Sequence, residues 1–444
     1  MPLLKNLLDN EKSEKKEIAE RVKNETIMPT EDEQKKVNEV ILSISNRFSK
    51  DLADKKVDDI KDDIVEAVSE ECRKLDISYE QQQRIEKTVL MTALGNGPIE
   101  KYIRDPSVTE IVVQRYDNIV IEKEGKIEKA DVSFTSEEHL MTIIQRIVQK
   151  VGRQISIASP IVDARMSDGS RINATSNVIS PDGATLTIRK FSDQFLTGKD
   201  YIEKGSLNAN MLYFLAKCVE GKITAFVSGG TGTGKTTLLN MLSSYIPERE
   251  LIITIEDSCE LKLQQPNVRR MEARYASNEE MMNVDQTALV RAALRQRPDR
   301  IILGEARDGS IVDIISAMST GHEGSLTTIH ANNPRNLCDV RIPILYSMNK
   351  ESNFTEDAIA MQFSEAVQLI IHIMRYPDGS RKISHISHVD GLDSNKKVII
   401  HDIYIFDPVS DRHLWTGYVP KTVIDRINEN GVTFDKKIFD GEVS

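Results

Sequence analysis

The sequence predicts a mixed α/β chain, with a buried parallel sheet in its second half, a smaller α+β domain before it and a helical segment ahead of both. Three observations carry this. After about residue 207, helical stretches alternate with short strands that are apolar throughout, at 224–227, 251–255, 300–303 and 325–329. Such strands suit a parallel sheet covered on both faces. Between 95 and 195, alternating strands surround one amphipathic helix. From 31 to 94, apolar residues recur at helical spacing.

Taken in order, residues 1–30 are rich in Lys, Glu, Asp and Asn and read as a charged flexible tail. In 31–94, Val40, Ile41, Ile44 and Phe48, then Ile60, Ile64, Val65 and Val68, lie on helical faces. Leu94-Gly-Asn-Gly-Pro98 punctuates the chain. Strands follow at 111–113 and 118–122, joined by a turn at 115–118. A helix over 137–151 carries Leu140, Ile143, Ile144, Ile147, Val148 and Val151 on one side. Asp168-Gly-Ser170 is a turn before strands at 171–173 and 184–189. A polar linker is expected at 196–206, and 207–444 forms the last domain with a C-terminal extension. Within it, Ser277 and Glu280 have capping-box spacing, opening a helix that stops at Pro298 and carries Arg291 and Arg295.

Composition narrows the function. At 444 residues, 39% hydrophobic and 29% charged, the chain has material for two or three folded domains. Its net charge of −11 disfavours general binding of nucleic acid. Cys72, Cys218, Cys259 and Cys338 are dispersed, so neither a zinc site nor a disulfide framework is expected. No apolar run approaches the roughly 18 residues of a membrane span, and the expected location is the cytoplasm.

The clearest motif is Gly229, Gly230, Thr231, Gly232, Thr233, Gly234, Lys235, Thr236, which fits G-x-x-x-x-G-K-[ST]. It follows an apolar strand and precedes a helix beginning near Thr237, the setting the motif requires. Glycines let backbone N–H groups curl around phosphate oxygens, and the helix N-terminus adds positive potential. Lys235 is expected to contact the β- and γ-phosphates of ATP, and Thr236 to ligate Mg²⁺.

Two acids follow. Glu256 ends an apolar strand expected next to the phosphate-loop strand, with Asp257 and Glu260 close by, where it would activate the attacking water. Glu305 ends 301–305, in the manner of a Walker B strand, where it would hold Mg²⁺ through water or polarise the nucleophile. Spacing does not decide which acid is the base. Downstream, Gly321, His322 and His330 combine glycine, strand and two imidazoles, suggesting a γ-phosphate sensor.

These four segments, in this order, resemble the type II/type IV secretion ATPases: a Walker A loop at 229–236, an acidic box at 256–260, a Walker B segment at 301–305 and a histidine box at 321–330. The motifs at 94–100, 105–111, 162–165, 168–173, 187–191 and 376–381 look like the CpaF-type branch, which drives tight-adherence (Flp) pili. The resemblance implies a RecA-like nucleotide domain preceded by a PAS-like α+β domain. It also implies a hexameric ring working on an inner-membrane platform protein, peripherally associated with the membrane. It further implies that arginines of the N-terminal domain reach the nucleotide; Arg165 and Arg171 are the matching positions. A guanidinium suits that task because its fixed fork stays charged. The four-cysteine zinc subdomain of many type II members is missing from the sequence, which favours the pilus branch. Two rival functions are weaker. A RecA-like nucleic-acid translocase would need a basic, aromatic-lined channel, against an acidic chain with 5% aromatics. A non-hydrolysing ATP-dependent scaffold would not need both acids.

Overall fold

The computed structural model describes residues 31–54, 57–123, 125–134, 136–166, 168–190, 195–274, 283–349 and 353–439. The charged tail and the Ser277–Glu280 capping pattern lie outside the described residues. The chain divides into two compact units between Ser192 and Asp193.

Among the described residues, the first unit opens on the helices α1 (Glu31–Asp54), α2 (Val57–Arg73) and α3 (Tyr79–Leu94). They share a core of Val37, Val40, Ile44, Phe48, Ile64, Val68, Ile85 and Val89, so the helical periodicity marks the faces that meet. After the short α4 (Glu100–Arg104) come β1 (Val108–Arg115), β2 (Asn118–Lys123) and β3 (Lys126–Lys129). Then follow α5 (Glu137–Gln149), β4 (Ile161–Arg165), β5 (Arg171–Thr175) and β6 (Thr185–Arg189). The strands form one antiparallel sheet in the order β3-β2-β1-β6-β5-β4. Pairing of Ile111 with Ile188 and Val113 with Leu186 builds one apolar face, against which α5 lays Leu140, Ile143, Ile144 and Ile147. Ser136 caps α5 by accepting a hydrogen bond from His139 N. Two strands, β3 and β4, go beyond the sequence expectation.

The second unit opens with a helix where the sequence suggests a linker. Here α6 (Gly198–Glu203) is closed by a capping box in which Thr197 and Asp200 each bond the other's backbone N–H. Then come α7 (Ala209–Glu220), β7 (Ala225–Gly229), α8 (Lys235–Ser243), β8 (Ile252–Glu256) and β9 (Val268–Glu272). Next are α9 (Gln286–Leu294), β10 (Arg300–Ala306), α10 (Ile311–Ser319), β11 (Leu326–His330), α11 (Pro334–Asn336), α12 (Ile342–Ser347) and α13 (Glu356–Ala366). Four antiparallel-paired strands and a helix finish the unit: β12 (Leu369–Arg375), β13 (Arg381–Leu392), β14 (Val398–Asp407), β15 (Arg412–Trp415) and α14 (Lys421–Glu429).

The nine strands run β15-β14-β13-β12-β7-β11-β10-β8-β9. Pairing is parallel from β12 through β9 and antiparallel from β12 to β15. Alternate residues feed separate cores on the two faces. Val227, Ile302, Leu326 and Ile371 pack with α7 and α8, whereas Phe226, Ile301, Leu303 and Ile370 pack with α10 and α13. Burying such a side chain contributes about 1.5–3 kcal/mol, so the two cores hold β7, β11 and β10 rigidly and fix what their C-terminal ends carry. No described helix is long and apolar enough to cross a membrane.

One expectation fails here. Strand β8, bearing Glu256, is not beside the phosphate-loop strand β7: β11 and β10 stand between them. At about 4.8 Å per strand, β8 lies about 14 Å from β7. Crossover connections in a parallel sheet skip neighbours, and spacing along the chain does not record the skip.

Candidate functional site

The loop 229–236 joins the buried end of β7 to the start of α8. Gly229 is enforced by packing: a Cβ there would lie 2.3 Å from the carbonyl oxygen of Ile373 on β12. Gly232 and Gly234 hold positive φ (70° and 91°), and Gly234 caps α8 in the left-handed conformation. Thr233 Oγ1 braces the curl by donating to Gly230 O at 3.0 Å.

Lys235 is buried and turns back over the loop. Its ammonium donates to Gly230 O at 2.8 Å and Gly229 O at 3.2 Å. It also stands 3.4 Å from His330 Nε2, because β11 pairs in parallel with β7 and sets His330 opposite Gly229. Desolvation, followed by the Lys235 charge, pushes the His330 pKa below its ordinary value. The imidazole is therefore neutral at physiological pH, and Nε2 is the acceptor from Lys235. The neighbouring strand β10 brings Glu305 Oε1 to 3.6 Å from the same nitrogen, a close approach rather than a hydrogen bond. Arg307 donates from Nε (2.8 Å) and Nη2 (2.5 Å) to Glu305 Oε2, and from Nη1 to Asp257 Oδ2 at 3.4 Å. Lys235, His330 and Glu305 thus form one row along the C-terminal edge of the parallel sheet, where open α/β sheets bind ligands.

Glu256 sits beyond Glu305, on β8, and is 2% exposed. Its Oε1 accepts from the N–H groups of Glu260 and Leu261, each at 2.8 Å. Its Oε2 is buried without a hydrogen-bond partner. Burial, only partly offset by those N–H bonds, pushes the carboxyl up to about 7. Gly304 permits the approach, since a Cβ there would meet Glu256 Cγ at 2.9 Å. The segment after Glu256 is tied to the phosphate-loop helix: Lys262 N donates to Asn240 Oδ1 at 2.8 Å and Gln265 Nε2 to Ser243 O at 2.6 Å.

His322 does not join this group. Ser325 Oγ donates to His322 O, Gly324 N donates to Thr224 Oγ1, and Arg300 Nη1 donates to Gly324 O. All of these partners stand where strands begin. His322 precedes the start of β11 and His330 ends it, four residue steps or about 13 Å of strand further on, so the nucleotide-contact role expected of His322 is withdrawn. In the first unit, Arg165 and Arg171 face each other across the β4–β5 pair, and Arg189 on β6 continues the row beyond Arg171.

Three contributions escape the sequence reading. Arg381 Nε donates to Gly232 O at 3.1 Å. Arg375 Nη1 lies 3.9 Å from where a Gly232 Cβ would be. His372, buried beside the loop strand, has Nδ1 2.8 Å from Ser228 Oγ. Arg375 and Arg381 flank the turn 376–380, which the sequence marks as a family-like motif without placing it at the phosphate loop.

The donor set fits a triphosphate with Mg²⁺: glycines packed too closely for side chains, N–H groups at a helix start, a buried lysine, the Thr236 hydroxyl and the Glu305 carboxylate. Comparison with known proteins decides the family. The model of the family described as "Type II/IV secretion system protein" matches residues 92–389. The chain belongs to that family. With its phosphate loop, this secretion-family chain is an ATPase. A Mycobacterium tuberculosis protein named for conjugal transfer is 30% identical over 306 residues, 67% of this chain and 86% of its own. The type IV secretion system protein VirB11 of Brucella suis is 29% identical over 322 residues, 66% of this chain and 88% of its own. The solved VirB11 ATPase from Brucella suis, in complex with sulphate, aligns over 68% of this chain and 97% of its own, at 27% identity and a TM-score of 0.37.

Proposed function

We propose that this secretion-family ATPase is a hexameric, RecA-like motor that drives pilus assembly of the tight-adherence type, working from the cytoplasm on an inner-membrane platform protein. The observation that carries the motor reading is the row Lys235, His330, Glu305 on neighbouring strands beside a glycine-enforced phosphate loop. The tight-adherence branch rests on the motifs at 94–100, 162–173 and 376–381.

The chemistry follows from the side chains. Loop N–H groups from Gly230 to Thr236 hold the β-phosphate, and Lys235 turns from its loop carbonyls toward the β- and γ-oxygens. Thr236 and Glu305 would hold Mg²⁺, which would supply charge neutralisation on the phosphate oxygens. Neutral His330 keeps Lys235 and Glu305 in register by accepting from the ammonium. Glu256, poised near 7 with one oxygen unpartnered, takes the proton of the attacking water. Arg165 and Arg171 act as arginine fingers, a role worth about a thousandfold or more in rate.

Steady-state phosphate release tests this. Glu256→Gln and Glu305→Ala should each lose at least a hundredfold in kcat while still binding ATP. Near-normal turnover in both variants would overturn the assignment.

A further inference from the structure

Beside Glu305 lies a cleft of about 420 Å³, lined by Glu305, Arg307, His330, Asn332, Asn336 and Arg341 among others. No residue of the phosphate loop lines it. Its outer wall comes from 331–341, where the chain turns from β11 through α11 into a single π-helical turn, Leu337–Arg341. Such turns are rare and concentrate at functional positions. This one ends on Arg341, so the irregular turn sets where that guanidinium stands.

Arg341 is half-buried, and its Nε is buried without a hydrogen-bond partner. No ion pair forms on it among the described residues; nearby Asp339 faces Arg335 at 3.9 Å. By contrast, Arg307 across the cleft is engaged by Glu305 and Asp257. Two guanidiniums, Arg307 and Arg341, line the cleft against one carboxylate, Glu305, so its charged lining is net positive. A partly desolvated cation without a counter-ion is unfavourable, and an anion with several acceptor oxygens would relieve it. The volume equals roughly fourteen waters at about 30 Å³ each, ample for a tetrahedral oxyanion and its hydration.

We propose that this cleft is a product site: it receives the orthophosphate freed from ATP, on the Arg341 side of Glu305 and His330, before release. The proposal rests on the ATPase reading and goes beyond it, because it separates phosphate departure from the γ-phosphate position at Lys235. Two sources of the same chemistry exist, the attached γ-phosphoryl group and free orthophosphate. The absence of loop residues from the lining favours the free ion.

The test uses the full chain loaded with Mg-ADP and titrated with inorganic phosphate by calorimetry, with product inhibition of hydrolysis as a second readout. Wild type should bind phosphate. Arg341→Gln should weaken that binding at least tenfold, and Arg341→Lys, keeping the charge but losing the fork, should fall between. In Arg341→Gln, the preference for a non-hydrolysable ATP analogue over ADP should change less than twofold. Unchanged phosphate affinity in an Arg341→Gln protein that still binds ADP overturns the proposal. A tenfold loss confined to the ATP analogue overturns it too, by assigning Arg341 to the attached γ-phosphate. If Arg341→Gln no longer binds ADP, wild-type phosphate affinity in Arg341→Lys overturns it. Failure of wild type to bind ADP would remove the ATPase reading itself.

Discussion

Replacing Glu256 with Gln should change how stability and rate depend on pH, and the size follows from where the carboxyl sits. Burial raises it from an ordinary 4.5 to about 7. Between those values the folded chain holds a proton that the unfolded chain has released. Unfolding therefore releases a proton, and stability falls as pH rises through the window, levelling off above 7. At about 1.4 kcal/mol per pH unit, the loss between pH 4.5 and 8 is about 3 kcal/mol. Glu256→Gln lacks this contribution, although its amide donors sit in the pocket of the unpartnered oxygen, at a cost of about 1–3 kcal/mol that does not vary with pH. The assay is urea unfolding followed through Trp415. It is the chain's single tryptophan and packs against the core of the second unit, so it reports on that unit. The stability gap between wild type and Glu256→Gln should move by about 3 kcal/mol from pH 4.5 to 8, in favour of the variant at the alkaline end. In the same protein, kcat/KM should fall about tenfold per pH unit below 7 in wild type, as the base protonates. A gap independent of pH would refute the buried-carboxyl reasoning.

Two further outcomes follow. Arg300 is fully buried and held by Glu250 at 2.6 and 3.3 Å; Glu250→Ala should destabilise the second unit by about 3–5 kcal/mol, and Arg300→Met with Glu250→Leu should recover most of that on the Trp415 signal. Arg381→Gln removes the donor to Gly232 O and should raise KM for ATP several-fold with a smaller change in kcat; an unchanged KM would show that the loop holds its shape without the hairpin.

Local chemistry was legible from the sequence; pairing across the sheet was not. The phosphate loop reads directly because glycines, lysine and threonine are consecutive and their backbone curl is a short-range property. Glu305 and His330 read as candidates, but their approach to Lys235 depends on β11 and β10 lying between β7 and β8. The same crossovers misled the placement of Glu256. His322 and His330 look equivalent in one glycine-rich segment, yet a strand is a straight spacer and sends them to opposite ends. Arg381 acts 149 residues from its partner, through hairpin β12–β13, whose mixed His, Ser and Ile pattern gives little strand signal. The helix at 198–203 was readable in principle, since Thr197 and Asp200 have capping spacing, but polar composition there looks like a linker.

The central claim is that Lys235 and the loop around it hold the triphosphate that this chain cleaves. Single-turnover hydrolysis of Mg-ATP, with calorimetry of binding on the same samples, tests it most directly. Wild type should release phosphate, while folded Lys235→Ala should bind Mg-ATP at least tenfold more weakly and lose at least a hundredfold in rate. Equal binding and turnover in the two proteins would contradict the account.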